Sequence, residues 1–449
     1  MIELSAQRIA AEAGTRIVAE GEDTYPESVS IDSRSIEPGQ LFVGLPGATT
    51  DGGSHAAHAI EAGAWGVIVT PEHAEELADS NAWVLASPMP LLSLQGLARA
   101  WRAELGALTV GVTGSTGKTS TKELCKALMP WRTHASPANL NTEIGVPLAI
   151  CSAPAGTQVL VLEMAARGKG QIAELGAMTE PDVGVIVNVG PVHLEQFGDV
   201  EGVAKTKAEL LGALPPTGLA VLPHHAPHLD PYREVAPQVL SFGAGGDVRA
   251  MGARVEGGQT IAMVRTPDGT AKFSFPFTEA HQLENALCAI AIGTGIGAPL
   301  AEMASRSGEV RFAEGRGREI PTDDGVVIVD DSYNANPDSM RAAVDHLAAA
   351  EVAGRRIAVL GGMAELGDQS DAYHAELADQ VRAREIDLLI SVGELAQGYN
   401  ADRHAETASE AVTVLREELQ AGDRVLVKGS RSVGLEEVVE AFPAPDSAG

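Results

Sequence analysis

The stretch Thr109-Val110-Gly111-Val112-Thr113-Gly114-Ser115-Thr116-Gly117-Lys118-Thr119-Ser120 constrains this chain more than any other. The β-branched run from Leu108 to Val112 predicts a buried strand. A glycine-rich turn follows, then Lys118-Thr119, then helical spacing from Ser120 to about Met129. Strand, glycine loop and helix in that order make a phosphate cradle. Glycines let the backbone approach phosphate oxygens, and consecutive N–H groups point at them. The helix N-terminus adds about half a positive charge. Gly114, Ser115, Thr116, Gly117 and Ser120 supply the cradle. Lys118 would reach the β- and γ-phosphates of a nucleotide, and the Thr119 hydroxyl would face Mg²⁺. The spacing departs from G-x-x-x-x-G-K-[ST], with Gly111 and Gly114 ahead of Gly117. A surface turn with a solvated lysine is the rival reading, and it fits poorly with three glycines behind a buried strand.

Other bulk features bound the partners. A chain of 449 residues predicts about three domains, each large enough for its own core. The formal net charge of −29 argues against nucleic acid, which needs a basic face. A small anionic ligand needs only a local positive pocket. Cys125, Cys151 and Cys288 stand apart in apolar contexts and read as reduced core residues. There is no signal-peptide pattern and no apolar run of membrane-spanning length. The expectation is a cytoplasmic protein without membrane insertion, acting as a monomer.

Read in order, residues 1 to about 85 predict a small α/β unit, followed by an amphipathic helix from Leu91 to Leu105. Asp32-Ser33-Arg34 lies at a strand end and reads as an ion pair plus a turn cap. From 107 to about 318 strands alternate with helices: Leu108 to Val112, Val159 to Glu163, Val183 to Val189 and Leu219 to Leu222. That pattern predicts a parallel sheet, whose ligands sit beyond the carboxyl ends of its strands. Glu163 ends one such strand; a carboxylate there is costly unless paired or near a metal, so it reads as a Mg²⁺ ligand. Asn188 and His193 follow another strand, and His193 alone reads as a structural histidine. Lys205-Thr206-Lys207 reads as a solvated helix face. Residues 240–278 predict antiparallel strands. The helix from His281 to Ile292 carries Asn285, which either meets a ligand or faces solvent. Gly315-Arg316-Gly317-Arg318 reads as a linker. Beyond it Val326 to Asp331 opens a second doubly wound domain, with Lys428-Gly429-Ser430-Arg431 at its last strand end.

Several of these stretches together resemble the Mur ligases, ATP-dependent amide-forming enzymes of cell-wall precursor synthesis. They are Asp32-Ser33-Arg34, the Thr113–Thr119 loop, Asn139-Leu140-Asn141-Thr142-Glu143, Glu163-Met164, His193-Leu194-Glu195-Gln196-Phe197-Gly198 and Ala204-Lys205-Thr206-Lys207. Asn285-Ala286-Leu287, Asp330-Asp331-Ser332-Tyr333-Asn334-Ala335-Asn336-Pro337 and Lys428-Gly429-Ser430-Arg431 complete the set. The resemblance covers nearly the whole chain. The sequence departs from the family at Ala165, where glycine is usual, at Gly53 in place of the histidine of Asp-Gly-His, and at Gly362 in place of aspartate.

The resemblance implies an α/β protein of three domains: a UDP-muramoyl-binding domain with a linker helix (1–105), a parallel-sheet ATPase domain (106–318) and a Rossmann-like domain (319–449). It implies a ligase that adds D-Ala-D-Ala to UDP-N-acetylmuramoyl-tripeptide through an acyl phosphate; the alternative is a family member adding a single amino acid, as the folylpolyglutamate enzymes do. It implies catalytic roles for Lys118, Glu163, His193 and Lys207, and two Mg²⁺ sites built on Thr119, Glu163, His193 and a carbamylated lysine, Lys207 or else Lys205. It also implies nucleotide contacts from Asn285, Arg316 and Asp331. Ser33, Arg34, Asn139, Asn141 and Thr142 would meet the muramoyl substrate, and Asn334 and Asn336 the dipeptide.

Overall fold

The computed structural model describes residues 3–47, 50–312 and 315–443, and four sheets organise them. The N-terminal sheet uses β1 (Arg16–Ala19), β2 (Val29–Ser30), β3 (Leu41–Val43), β4 (Gly66–Val69) and β5 (Trp83–Ala86) in the order β1-β5-β4-β3-β2. Only β1 runs antiparallel, against β5. Its central strands are buried on both faces, which accounts for their unbroken apolar runs.

The central sheet is all parallel, in the order β11-β10-β9-β6-β8-β7. Its strands are β6 (Leu108–Thr113), β7 (Thr133–Ala135), β8 (Val159–Glu163), β9 (Val183–Ile186), β10 (Leu219–Pro223) and β11 (Gln238–Phe242). From β6 the chain runs to the edge strand β7, returns to β8 beside β6, then crosses to β9 on the other side. The order therefore reverses at β6, and the loops after β6, β8 and β9 gather at that switch point. Two sequence expectations change here. The strand expected to reach Val189 ends at Ile186, because Asn188 turns to bond the phosphate loop. Residues 240–242, expected to open the antiparallel region, instead end β11 at the parallel edge of this sheet. The antiparallel remainder is a three-stranded meander of β12 (Arg249–Glu256), β13 (Gln259–Thr266) and β14 (Gly269–Phe275).

The C-terminal sheet has the order β15-β16-β20-β17-β18-β19. These are β15 (Arg318–Pro321), β16 (Val327–Asp330), β17 (Arg356–Gly361), β18 (Leu388–Val392), β19 (Arg403–Ala405) and β20 (Arg424–Lys428). The segment expected to be a linker thus enters the fold: β15 pairs antiparallel with β16. Because β20 inserts beside β16, the polar ends of both strands meet.

Core packing joins these regions. The helix Pro90–Leu105 packs on the helix Gly145–Cys151, and one apolar cluster runs from Leu4, Ile9 and Trp101 to Ile150, Leu160 and Met164. On the opposite face of the central sheet, helices Lys118–Leu128 and Ala280–Gly295 pack together through Leu124, Cys125 and Cys288. The three cysteines are free and buried, as expected. Val192, Leu194 and Phe197, around His193, share a cluster with Met340 of the helix Pro337–Ala349 and Leu360 of β17. Among the described residues no helix is long and apolar enough to cross a membrane.

Candidate active site

The phosphate loop is shaped by one residue without a side chain. Gly117 caps the helix Lys118–Leu128 at φ 75°, a conformation disfavoured for any residue with a Cβ. A Cβ there would also stand 2.3 Å from Asn285 Oδ1. Asn285 is buried inside its helix and donates to Gln282 Oε1 at 3.0 Å, so it packs against the loop rather than facing solvent. Asn188 holds the same loop from the other side. Its Oδ1 accepts the Thr116 N–H at 2.8 Å, and its Nδ2 donates to Thr116 Oγ1 at 2.6 Å. Ser115 Oγ accepts the Gly190 N–H at 2.9 Å. The result is a preorganised run of N–H groups.

Lys118 Nζ donates to Gly114 O at 2.7 Å. Burial pushes its ammonium down from the ordinary lysine range, and the nearby Glu163 charge opposes that. Glu163 is 3% exposed. Its Oε2 accepts from Thr119 Oγ1 at 2.9 Å and its Oε1 from Asn141 Nδ2 at 2.9 Å. Both of these hydrogen-bond donors are neutral, and the Lys118 charge acts on the carboxylate without a direct ion pair among the described residues. Such a group favours a cation. Arg316 NH2 donates to Thr119 Oγ1 at 3.1 Å, bringing a residue expected in a linker onto the phosphate loop. Its guanidinium stacks 4.1 Å above the Tyr333 ring, with Arg431 on the same ring at 5.7 Å.

His193 adopts a left-handed backbone at φ 50°. Its Nδ1 contacts the Glu365 carboxylate from the C-terminal region. Burial lowers its pKa, opposed by Glu365 and assisted by Lys118 and Lys207. No group of three His, Cys, Asp or Glu side chains converges among the described residues. A metal here would therefore use a mixed set including the Thr119 hydroxyl. Lys205 is exposed whereas Lys207 is 7% exposed. Burial first, and Lys118 second, hold the Lys207 ammonium well below the ordinary lysine range. Composition alone suggested a solvated face, and for Lys207 that reading fails.

Most of these groups line one cleft of about 1000 Å³, though Lys207 and Glu365 do not; its volume is within the range of small-molecule sites. Ser115 to Ser120, Asn139, Asn141, Thr142, Glu163, His193, Asn285, Arg316, Asp331, Asn334 and Asn336 all reach it. Lys428, buried at the end of β20, pairs with Asp331 at 2.7 Å and donates to Asn334 O at 2.9 Å. Ser33 and Arg34 do not line the cleft, although Ile31 does. Arg34 is ion-paired with Asp32 at 2.7 Å, the arrangement expected from the residues alone. The missing side chain of Gly53 is explained locally: a Cβ there would run into His73, whose Nε2 lies 2.8 Å from Asp51. Glu365, His281 and Lys122 carry no local motif that marks them: Glu365 meets His193 and Lys122 meets the Ser136 and Ala138 carbonyls across the chain, while His281 lines the cleft itself.

Three family models match the chain: Mur ligase family, catalytic domain, over residues 27–102; Mur ligase middle domain over 112–293; and Mur ligase, glutamate ligase domain, over 315–431. The chain is 32% identical over 439 residues to the UDP-N-acetylmuramoyl-tripeptide–D-alanyl-D-alanine ligase of Bacillus subtilis, covering 95% of each. It is similar in structure to MurF from Acinetobacter baumannii, with a TM-score of 0.85 and 27% identity over 97% of this chain and 98% of that one. It is also similar to the MurF ligase from Thermotoga maritima in complex with ADP, with a TM-score of 0.81 and 30% identity over 92% and 96%.

Proposed function

This chain belongs to the Mur ligase family, and from that premise we propose that it joins D-Ala-D-Ala to UDP-N-acetylmuramoyl-tripeptide at the expense of ATP. The product is the UDP-muramoyl-pentapeptide of peptidoglycan synthesis. The observation that carries this reading is that one cleft collects the phosphate loop, Glu163 and the Asp331–Asn336 run. We assign residues 1–105 to the UDP-muramoyl moiety, 106–318 to ATP and 319–449 to closure over both. We take the enzyme to act as a monomer. ATP and a UDP-linked precursor put the reaction in the cytoplasm.

The terminal carboxylate of the tripeptide attacks the γ-phosphorus of ATP. The bond to the ADP oxygen breaks, and an acyl phosphate forms. The amine of the dipeptide then attacks the acyl carbon, loses a proton, and expels phosphate as the amide forms. Lys118 and the loop N–H groups stabilise the charge that develops on the phosphoryl oxygens. Arg316 adds a second cation, held over Tyr333. Asn285 and Asp331 would contact the nucleoside, and Asn139, Asn141 and Thr142 the muramoyl peptide. Ser33 and Arg34 would bind the UDP end, and Asn334 and Asn336 would orient the dipeptide.

Thr119, Glu163 and His193 would hold Mg²⁺, which neutralises phosphate charge when bound. The donor set fits, since Glu163 is a buried carboxylate without an ion-pair partner among the described residues. Lys207 is the better candidate for carbamylation than Lys205. Its depressed pKa favours the neutral amine that adds to CO₂, and a carbamate would replace a cation by an anion.

Purified protein incubated with ATP, Mg²⁺ and the UDP-tripeptide should be offered D-Ala-D-Ala, glutamate, lysine and diaminopimelate separately. The expected product is the pentapeptide mass with D-Ala-D-Ala alone. Extension by a single amino acid instead would move the substrate assignment to another branch of the family.

A further inference from the structure

Lys122 is 1% exposed and lies one helical turn beyond Lys118, yet the reaction outlined above gives it no task. A buried ammonium must satisfy three donors. Nζ donates to Ser136 O at 2.6 Å and to Ala138 O at 3.1 Å, and stands 3.4 Å from the Glu123 carboxylate. Both carbonyls belong to the segment that leaves β7 and crosses the cleft.

That segment is under specific constraint. Ala138 is exposed and has φ 44°, an unfavourable backbone for a residue with a Cβ. Ser136 Oγ accepts the Glu163 N–H at 3.1 Å. Asn141 Nδ2 reaches Glu163 Oε1 at 2.9 Å, and Asn141 O accepts the Ala165 N–H at 2.8 Å. Asn139 and Thr142 line the cleft beside them. A buried apolar side chain would fill the same space with less desolvation, but it would leave two carbonyls without their donor.

We propose that Lys122 is a positioning residue, which ties the nucleotide-binding helix to the segment 136–142 and so fixes Asn139, Asn141 and Thr142 relative to the phosphate loop. This deepens the ligase reading and rests on it. The ammonium touches neither substrate. It acts through the segment that would hold the tripeptide end, so its loss should be read in one substrate and not the other.

The test is Lys122→Met and Lys122→Arg, with the Michaelis constants for both substrates and thermal melting measured on each. Lys122→Met should raise KM for the UDP-tripeptide by about tenfold or more, as displacement of a positioning group does. KM for ATP should stay within about twofold, because the N-terminal turn of the helix is untouched. Lys122→Arg retains the charge and should fall between the two. Should Lys122→Met fail to fold, Lys122→Arg decides: a rise confined to the UDP-tripeptide supports the role, and wild-type constants overturn it. A merely structural lysine would lower the melting temperature and leave both constants unchanged, which also overturns the proposal. The wild type run alongside separates the claims. Without dipeptide-dependent turnover in the wild type the ligase reading falls, and the assigned role with it.

Discussion

Lys118 is the residue on which the account leans most. Its ammonium rests on the Gly114 and Ser115 carbonyls, so its removal takes little from the fold. Lys118→Ala should melt within a few degrees of the wild type and lose about 10²–10³ in turnover, the cost of one electrostatic stabiliser. Steady-state phosphate release and a melting curve on the same sample check both halves. His281, in the same cleft, carries a pH prediction. Burial lowers its pKa to about 4, with Asp331 opposing and Lys428 and His346 assisting. The unfolded chain takes up that proton near pH 6.5 and the folded chain only near 4, so stability falls as pH drops through that interval. The loss is about 2 kcal/mol between pH 7 and pH 5. His281→Gln should flatten the decline by that amount, measured by denaturant unfolding at both pH values. An unchanged slope would remove His281 as a contributor.

At the scale of the element, the junction between β6 and the helix Lys118–Leu128 is both the most legible and the most constrained part of the chain. It was legible because everything that makes it is local: a β-branched strand, glycines, then a helix. Gly117→Ala meets two obstacles, a left-handed backbone worth about 1–2 kcal/mol and a Cβ 2.3 Å from Asn285 Oδ1. Gly106→Ala meets only the first, since its φ of 59° has no heavy atom within 4 Å of the added Cβ. Both variants should lose comparable stability to strain, but only Gly117→Ala should lose nucleotide affinity, by about tenfold or more. Equal nucleotide affinity in the two would show that the Asn285 contact does not shape the loop. Glu163 was legible for a related reason, a carboxylate closing an apolar strand. Arg316 was not legible from its own neighbourhood. Gly315-Arg316-Gly317 looks like a linker until β15 pairs with β16 and the guanidinium reaches Thr119, 197 residues away in sequence. Glu365 meets His193 across 172 residues, and Lys122 meets carbonyls that carry no sequence signature at all. Lys207 is the intermediate case, since only burial distinguishes it from Lys205.

At the scale of the molecule, the central and C-terminal sheets present their polar strand ends and loops to one cleft, and the N-terminal region reaches it only through Ile31. The N-terminal and central regions share a continuous apolar cluster. The C-terminal region touches the centre through the His193 segment and Arg316. That asymmetry suits a reaction in which the two donor-side substrates are assembled on a fixed platform and the dipeptide arrives from the closing side. The chemistry has a signature independent of rate. If the tripeptide carboxylate attacks ATP and the dipeptide amine then expels phosphate, one carboxylate oxygen must leave with the phosphate. The most direct measurement uses UDP-muramoyl-tripeptide labelled with ¹⁸O in its terminal carboxylate, with ATP, Mg²⁺ and D-Ala-D-Ala. Phosphate should be released only when the dipeptide is present, each molecule carrying one labelled oxygen. Unlabelled phosphate, or release that ignores the dipeptide, would contradict it.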